Sequence, residues 1–187
     1  MSGDDTKTMK PAQAALAAAL REHAIEEGEF TLSSGGTSNW YLDGRQVTFR
    51  GDCIEIVGEA IVEALDGVEF DAVGGLAVGA VPVALAVAFV TGKRSFAVRK
   101  EAKGHGVGGR IAGPLDPGDR VLVVEDTSTT GSAVLTAVDA ITEFGCKIVA
   151  ASLLLDRGGQ LGAALEPRGV LYRPVLTAPD LGYAFGS

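Results

Sequence analysis

Apolar positions along the chain fall into short blocks, some with helical spacing and some continuous, with turn residues between them. Pro11 suits a first helical position, and residues 12–27, rich in alanine and other helix formers, predict a helix. Phe30 to Leu32 and Trp40 to Leu42 predict two short strands around a small polar loop at 33–39, and Asp43-Gly44 marks a turn. Asp52 stands where it can cap a helix reaching Leu65. Residues 70–73 read as a buried strand ending in glycines, 83–90 as a helix closed by Gly92, and 95–98 as a strand. After the turn at Pro117-Gly118, the run Val121-Leu122-Val123-Val124 predicts a strand covered on both faces. A helix at 133–144, ended by Gly145, and a further buried strand at 148–155 follow. Residues 160–187 show no regular pattern, and the polar residues 1–9 are expected to fray.

Helices alternating with apolar strands argue for an α/β fold with a largely parallel central sheet. No linker or repeat interrupts it, so residues 1–187 are expected to form one domain. Residues 73–90 carry no charge, a length at the lower limit for crossing a bilayer. Gly74, Gly75, Gly79 and Pro82 within it favour a strand, a turn and a buried helix instead. With no cationic start followed by an apolar run, a signal peptide is not expected, and a cytoplasmic location is.

The formal charge of −8 disfavours a nucleic-acid partner, which would need a local basic patch. Cys53 and Cys146 stand far apart in no metal spacing and read as small buried apolar residues. Two histidines are too few for a multi-histidine metal cage.

Candidate chemistry concentrates in two stretches. The strand at 121–124 runs into Glu125, Asp126, Thr127, Ser128, Thr129, Thr130, Gly131, Ser132 and Ala133, an acidic, hydroxyl-rich turn before a helix. Free N–H groups at a helix start and nearby hydroxyls suit a phosphate. Paired carboxylates repel a phosphate but suit sugar hydroxyls, a magnesium shell or a developing cationic carbon. Together they point to a sugar phosphate, where a lone capping pair would mean only a helix start. The second stretch, Arg99-Lys100-Glu101-Ala102-Lys103-Gly104-His105-Gly106-Val107-Gly108-Gly109-Arg110, mixes cations with glycines. It can be a solvated hairpin tip or a lid gripping a strongly anionic group such as magnesium pyrophosphate.

Residues 123–133 resemble the phosphoribosyl-diphosphate (PRPP) signature of the type I phosphoribosyltransferases. The basic stretch is similar to the lid of the orotate-using branch of that family. Phe30-Thr31-Leu32-Ser33-Ser34-Gly35 resembles that branch's base-binding strand, and Leu155-Asp156-Arg157 its strand end bearing an orotate arginine. The resemblance implies a type I phosphoribosyltransferase fold with a small N-terminal base-binding hood. It implies transfer of the ribose 5-phosphate of PRPP to orotate, giving orotidine 5′-monophosphate and pyrophosphate in pyrimidine synthesis.

On this resemblance, residues 127–133 hold the 5′-phosphate and Glu125 and Asp126 meet the ribose hydroxyls. Arg99, Lys100, Lys103 and His105 grip the pyrophosphate, the last three as the catalytic set. Thr129 and Arg157, with Tyr41 as a weaker candidate, meet orotate. Mg²⁺ is held mainly by the substrate's pyrophosphate and ribose, with Glu125 or Asp126 as candidate protein ligands. The lid reaches a neighbouring subunit, implying a homodimer. Ser33 and Gly79 depart from the pattern, since some bacterial members carry lysines there. Trp40 reads as core or interface, and Asp43 and Arg45 as turn residues. Two alternatives stay open: a phosphoribosyltransferase for another base, and a PRPP-binding regulator of the same fold. The acidic excess also fits adaptation to a salty cytoplasm. On that reading, thermal stability and activity fall when salt is lowered, and undiminished values in low-salt buffer count against it.

Overall fold

The computed structural model describes residues 9–31, 37–101 and 109–186. The expected fraying at 1–8, and Lys103 and His105 with the rest of 102–108, lie outside the described residues. The helix α1 (Pro11–His23) leads into a hairpin of β1 (Ile25–Thr31) and β2 (Thr37–Leu42). Short α2 (Arg45–Thr48) and then α3 (Ile54–Leu65) precede the parallel core. That core runs through β3 (Ala72–Leu76), α4 (Ala80–Thr91), β4 (Arg94–Val98), β5 (Ile111–Ala112), β6 (Arg120–Ser128), α5 (Ser132–Glu143) and β7 (Lys147–Asp156). The chain closes with α6 (Leu161–Leu165), β8 (Leu171–Tyr172), β9 (Leu176–Thr177) and a 3₁₀ turn at Ala178–Leu181.

The sheet order is β5-β4-β3-β6-β7-β8, with β9 also paired to β7; only β5 runs antiparallel to its neighbour. Alternation along β6 sorts its apolar run into two cores. Leu122 and Val124 join residues of α1, α3 and α4 on one face, while Val121 and Val123 join residues of α5 and α6 on the other. A strand buried on both faces must be apolar throughout, which is why four consecutive aliphatics were needed here. The uncharged stretch at 73–90 divides between β3 and the twelve-residue α4, and no helix among the described residues is long and apolar enough to cross a membrane.

Several boundaries differ from the sequence expectation. The first helix stops at His23, and Ile25, Glu26 and Glu27 pair with Leu42, Tyr41 and Trp40. Cross-strand pairing thus overrides the helix preference of those glutamates. Asp52 does not cap α3; its carboxylate accepts from Arg50 Nε at 3.0 Å and Nη2 at 2.7 Å. The patternless C-terminal stretch contributes β8 and β9, strands of two residues each, too short for any periodicity to register. Asp43 is a turn residue as expected, forked to Arg45 at 2.7 and 3.2 Å.

The layer above the sheet depends on close helix approach. A Cβ on Gly58 of α3 would press on the Ala86 carbonyl of α4. Gly58→Ala is therefore expected to destabilise the fold by about 1–3 kcal/mol through overpacking, read as a lowered urea midpoint with unchanged slope.

Candidate active site

The sheet order creates a divergence at the carboxyl ends of the strands. β3 leads to a helix on one face and β6 to a helix on the other, and the two strands are neighbours. Ligands in open parallel sheets bind in the crevice such a switch leaves. Glu125 and Asp126 stand in that crevice as residues of β6, which continues through Ser128 paired to Asp156. They are thus held by sheet hydrogen bonds and not by a loose turn.

Glu125 is buried and Asp126 half-buried. Burial, and then the neighbouring Asp126, pushes the Glu125 carboxyl above the usual range; Asp126 is also raised, chiefly by burial. The Thr127 N–H donates to Asp126 Oδ1 at 2.6 Å and opposes part of that shift. Arg45 also favours the Asp126 charge, although it is already committed to Asp43. Loop residue Gly79, after β3, comes so close that a Cβ there would lie 2.6 Å from Glu125 Oε1 and 3.0 Å from Asp126 Oδ1. A side chain at this position would crowd both carboxylates.

Beyond the acids the chain makes a compact turn. Ser128 Oγ accepts from the Gly131 N–H at 2.8 Å, and Thr130 Oγ1 accepts from the Ser132 N–H at 3.4 Å. Gly131 has φ +79°, and a Cβ would meet Leu161 at 2.8 Å, so this entry to α5 requires glycine. Thr129, Thr130 and Ser132 are exposed and Ala133 half-buried, so the turn opens its hydroxyls to solvent at the start of α5.

Arg157 is brought to the same edge. Its N–H donates to the Ser128 carbonyl at 2.8 Å, and Gly158 packs against the Thr129 carbonyl. Asp156 anchors this corner: its Oδ1 accepts from Gly158 and Gly159 N–H at 3.0 and 2.9 Å, and its Oδ2 from the Tyr172 hydroxyl at 2.8 Å. Burial lowers the Arg157 pKa, which the nearby Tyr41 partly offsets. Tyr41 is 41% exposed and 5.6 Å from the Phe30 ring, on the open side of the hairpin.

On the other flank, Val98 accepts from the Ala77 N–H at 2.8 Å, tying β4 to the loop that carries Gly79. Arg99 and Arg110 close the stem, the Arg99 N–H donating to the Arg110 carbonyl at 2.7 Å. Arg99 and Lys100 therefore rise from the carboxyl edge two strands from the acids, roughly 10 Å at normal strand spacing.

A profile of the phosphoribosyl transferase domain matches residues 51–167. The orotate phosphoribosyltransferase of Corynebacterium glutamicum is 43% identical over 173 residues, covering 91% of this chain and 94% of that protein. This chain belongs to the orotate phosphoribosyltransferase family. Another relative of that name, from Streptomyces avermitilis, is 41% identical over 93% of this chain and 99% of its own length. Among solved members, Mycobacterium tuberculosis orotate phosphoribosyltransferase with Fe(III) dicitrate superposes with a TM-score of 0.83 at 40% identity, covering 92% of this chain and 99% of that one. The same enzyme in complex with PRPP gives 0.79 at 37% identity, with the same coverage. The fold is the type I phosphoribosyltransferase fold, and the β1–β2 hairpin meets the carboxyl edge where the Trp40 ring lies against Arg157.

Sequence reasoning missed the approach of Gly79 to the acid pair and the packing of Trp40 against Arg157, neither of which leaves a local signal. The raised Glu125 pKa has a consequence for stability. The folded chain binds that proton more tightly than the unfolded one, so this group's contribution is complete below the ordinary glutamate range and is lost as pH rises through the raised value. The ligand-free protein should lose thermal stability over that rise, and Glu125→Gln should flatten the dependence; equal slopes in both proteins would contradict the shift.

Proposed function

We propose that this chain is an orotate phosphoribosyltransferase, transferring the ribose 5-phosphate group of PRPP to orotate with release of pyrophosphate. The observation that carries the reading is the junction of three strand ends: an acid pair flanked by a hydroxyl-bearing helix start, an arginine corner and a cationic stem.

In this reading residues 127–133, among which Thr129, Thr130 and Ser132 are exposed, receive the 5′-phosphate, with the start of α5 supplying N–H groups and a positive dipole end. Glu125 and Asp126 meet the ribose hydroxyls and favour positive charge developing at the sugar carbon. Arg157 pairs with the orotate carboxylate, aided by Thr129, while Tyr41 lies against the ring. The bond from the sugar carbon to pyrophosphate breaks, its electron pair leaves with the pyrophosphate, and the orotate ring nitrogen bonds to the same carbon as its N–H proton passes to solvent or to the departing pyrophosphate. Arg99, Lys100, Lys103 and His105 stabilise the departing charge, with Lys100, Lys103 and His105 as the catalytic set.

Two carboxylates are too few to cage a cation, and among the described residues no group of three or more acidic, histidine or cysteine side chains gathers to do so. That donor set fits Mg²⁺ completed by substrate oxygens, with Glu125 or Asp126 as ligands. When bound, the ion supplies charge neutralisation for the diphosphate.

A homodimer sharing the basic segment is part of the proposal. Support comes from Phe49, Val78, Leu85 and Phe89, large apolar side chains exposed among the described residues, the last 68% exposed, beside the Gly79 loop. A cytoplasmic setting, with the reaction serving pyrimidine synthesis, completes the reading.

The test mixes the protein with orotate, PRPP and Mg²⁺ and follows orotate absorbance, omitting each component in turn. Loss of orotate only in the complete mixture is expected; turnover of another base in its place would redirect the assignment. Lys103→Ala is expected to lower kcat by roughly two orders of magnitude, as removal of one preorganised charge donor does. Mixing Lys103→Ala with Asp126→Asn protomers should restore turnover if the basic segment acts across the dimer, and no recovery in verified mixed dimers would place it in its own subunit's site.

A further inference from the structure

Trp40, the sole tryptophan of the chain, is fully buried on β2 and meets two groups from distant parts of the sequence. The Arg157 guanidinium carbon stands 4.1 Å from its ring centroid. The Tyr183 ring stacks on it at 4.1 Å and 8° from parallel. One face has no room for both at that distance, so the indole is sandwiched. Tyr183 is tied down in turn, its hydroxyl donating to Glu27 Oε1 at 3.1 Å on β1. The same C-terminal stretch grips the arginine corner directly. The Gly186 N–H donates to the Arg157 carbonyl at 2.7 Å, and the Phe185 ring lies against Gly159.

We propose that Trp40, backed by Tyr183, is a positioning residue that fixes the direction of the Arg157 guanidinium toward the carboxylate of the base. This rests on the reading above, in which Arg157 meets that carboxylate. The physical reason lies in what an indole face does for a guanidinium. An arginine side chain has many rotamers, and one held in a single direction loses less freedom when its ligand arrives. A ring face supports the charge through the plane of the group. Face-on support of this kind takes up none of the in-plane N–H bonds, and a planar carboxylate pairs with a guanidinium in that plane. The backing ring matters because an indole packed on one side only can tilt with the arginine.

The test measures steady-state kinetics on the full chain with Mg²⁺, varying orotate and PRPP separately, for the unaltered protein, Trp40→Phe, Trp40→Leu and Tyr183→Leu. A cation–π contact carries roughly a 2- to 30-fold effect. Trp40→Leu is expected to raise the orotate KM about tenfold with the PRPP KM within about twofold. Trp40→Phe, which keeps an aromatic face, should recover most of that loss, and Tyr183→Leu should fall between. A merely structural role would instead raise both KM values together or leave Phe no better than Leu, and either result overturns the proposal. Should Trp40→Leu fail to fold, Tyr183→Leu decides, an unchanged orotate KM there being the refutation. Absence of orotate turnover by the unaltered protein overturns the functional reading and this inference together. Normal turnover with unchanged orotate KM in the variants overturns this inference alone.

Discussion

Two carboxylates side by side in a half-dry crevice are the constraint around which the rest of this molecule is arranged. Water would stabilise both charges, but burial withholds it, so each carboxyl is pushed toward its protonated form. The described arginines at the opposite edge of the sheet do nothing to relieve this. Arg120 is forked to Asp71, and Arg94 is shared between Asp116 and Asp119. The amino edge thus pairs these charges, while the buried acid pair has beside it only Arg45, already committed to Asp43. A ligand bringing hydroxyl donors, a divalent cation or a positive carbon relieves that imbalance at once. The proposed chemistry uses all three, which is why the acid pair explains more than any other single feature.

Close packing makes the imbalance usable. The Gly79 loop lies against both acids, and Gly131 turns the chain into α5 at an angle that only glycine takes easily. Loops from β3 and β6 leave for opposite faces, so neither blocks the crevice they border. The sheet supplies rigidity, and glycine supplies the approach distances that side chains would forbid.

Much of this was legible in the chain itself. Four aliphatics followed by two acids and four hydroxyls can hardly be anything but a strand delivering polar groups to its end, and β6 does that. The glycine-laced basic stretch was legible as a connection from charge and composition, and its described ends form a hairpin stem. What could not be read depended on distant partners. Glu26 and Glu27 favour helix locally and became strand only because β2 lies beside them. Trp40 read as core, and it is core, yet its neighbours Arg157 and Tyr183 lie more than a hundred positions away. Nothing near Tyr183 in the sequence marks it as part of a site, since stacked rings leave no periodic trace.

The bond from the Arg157 N–H to the Ser128 carbonyl, with Gly158 seated on Thr129, joins two loops assigned to different ends of the reaction. A redesign that shifted the arginine corner to admit a bulkier heterocycle would drag the phosphate cradle with it. The hairpin and the tail reach that corner from outside, through the Trp40 ring and the Gly186 N–H on Arg157. Altered selectivity is accordingly more accessible by reshaping that outer shell, leaving the paired strand tips as the fixed chassis.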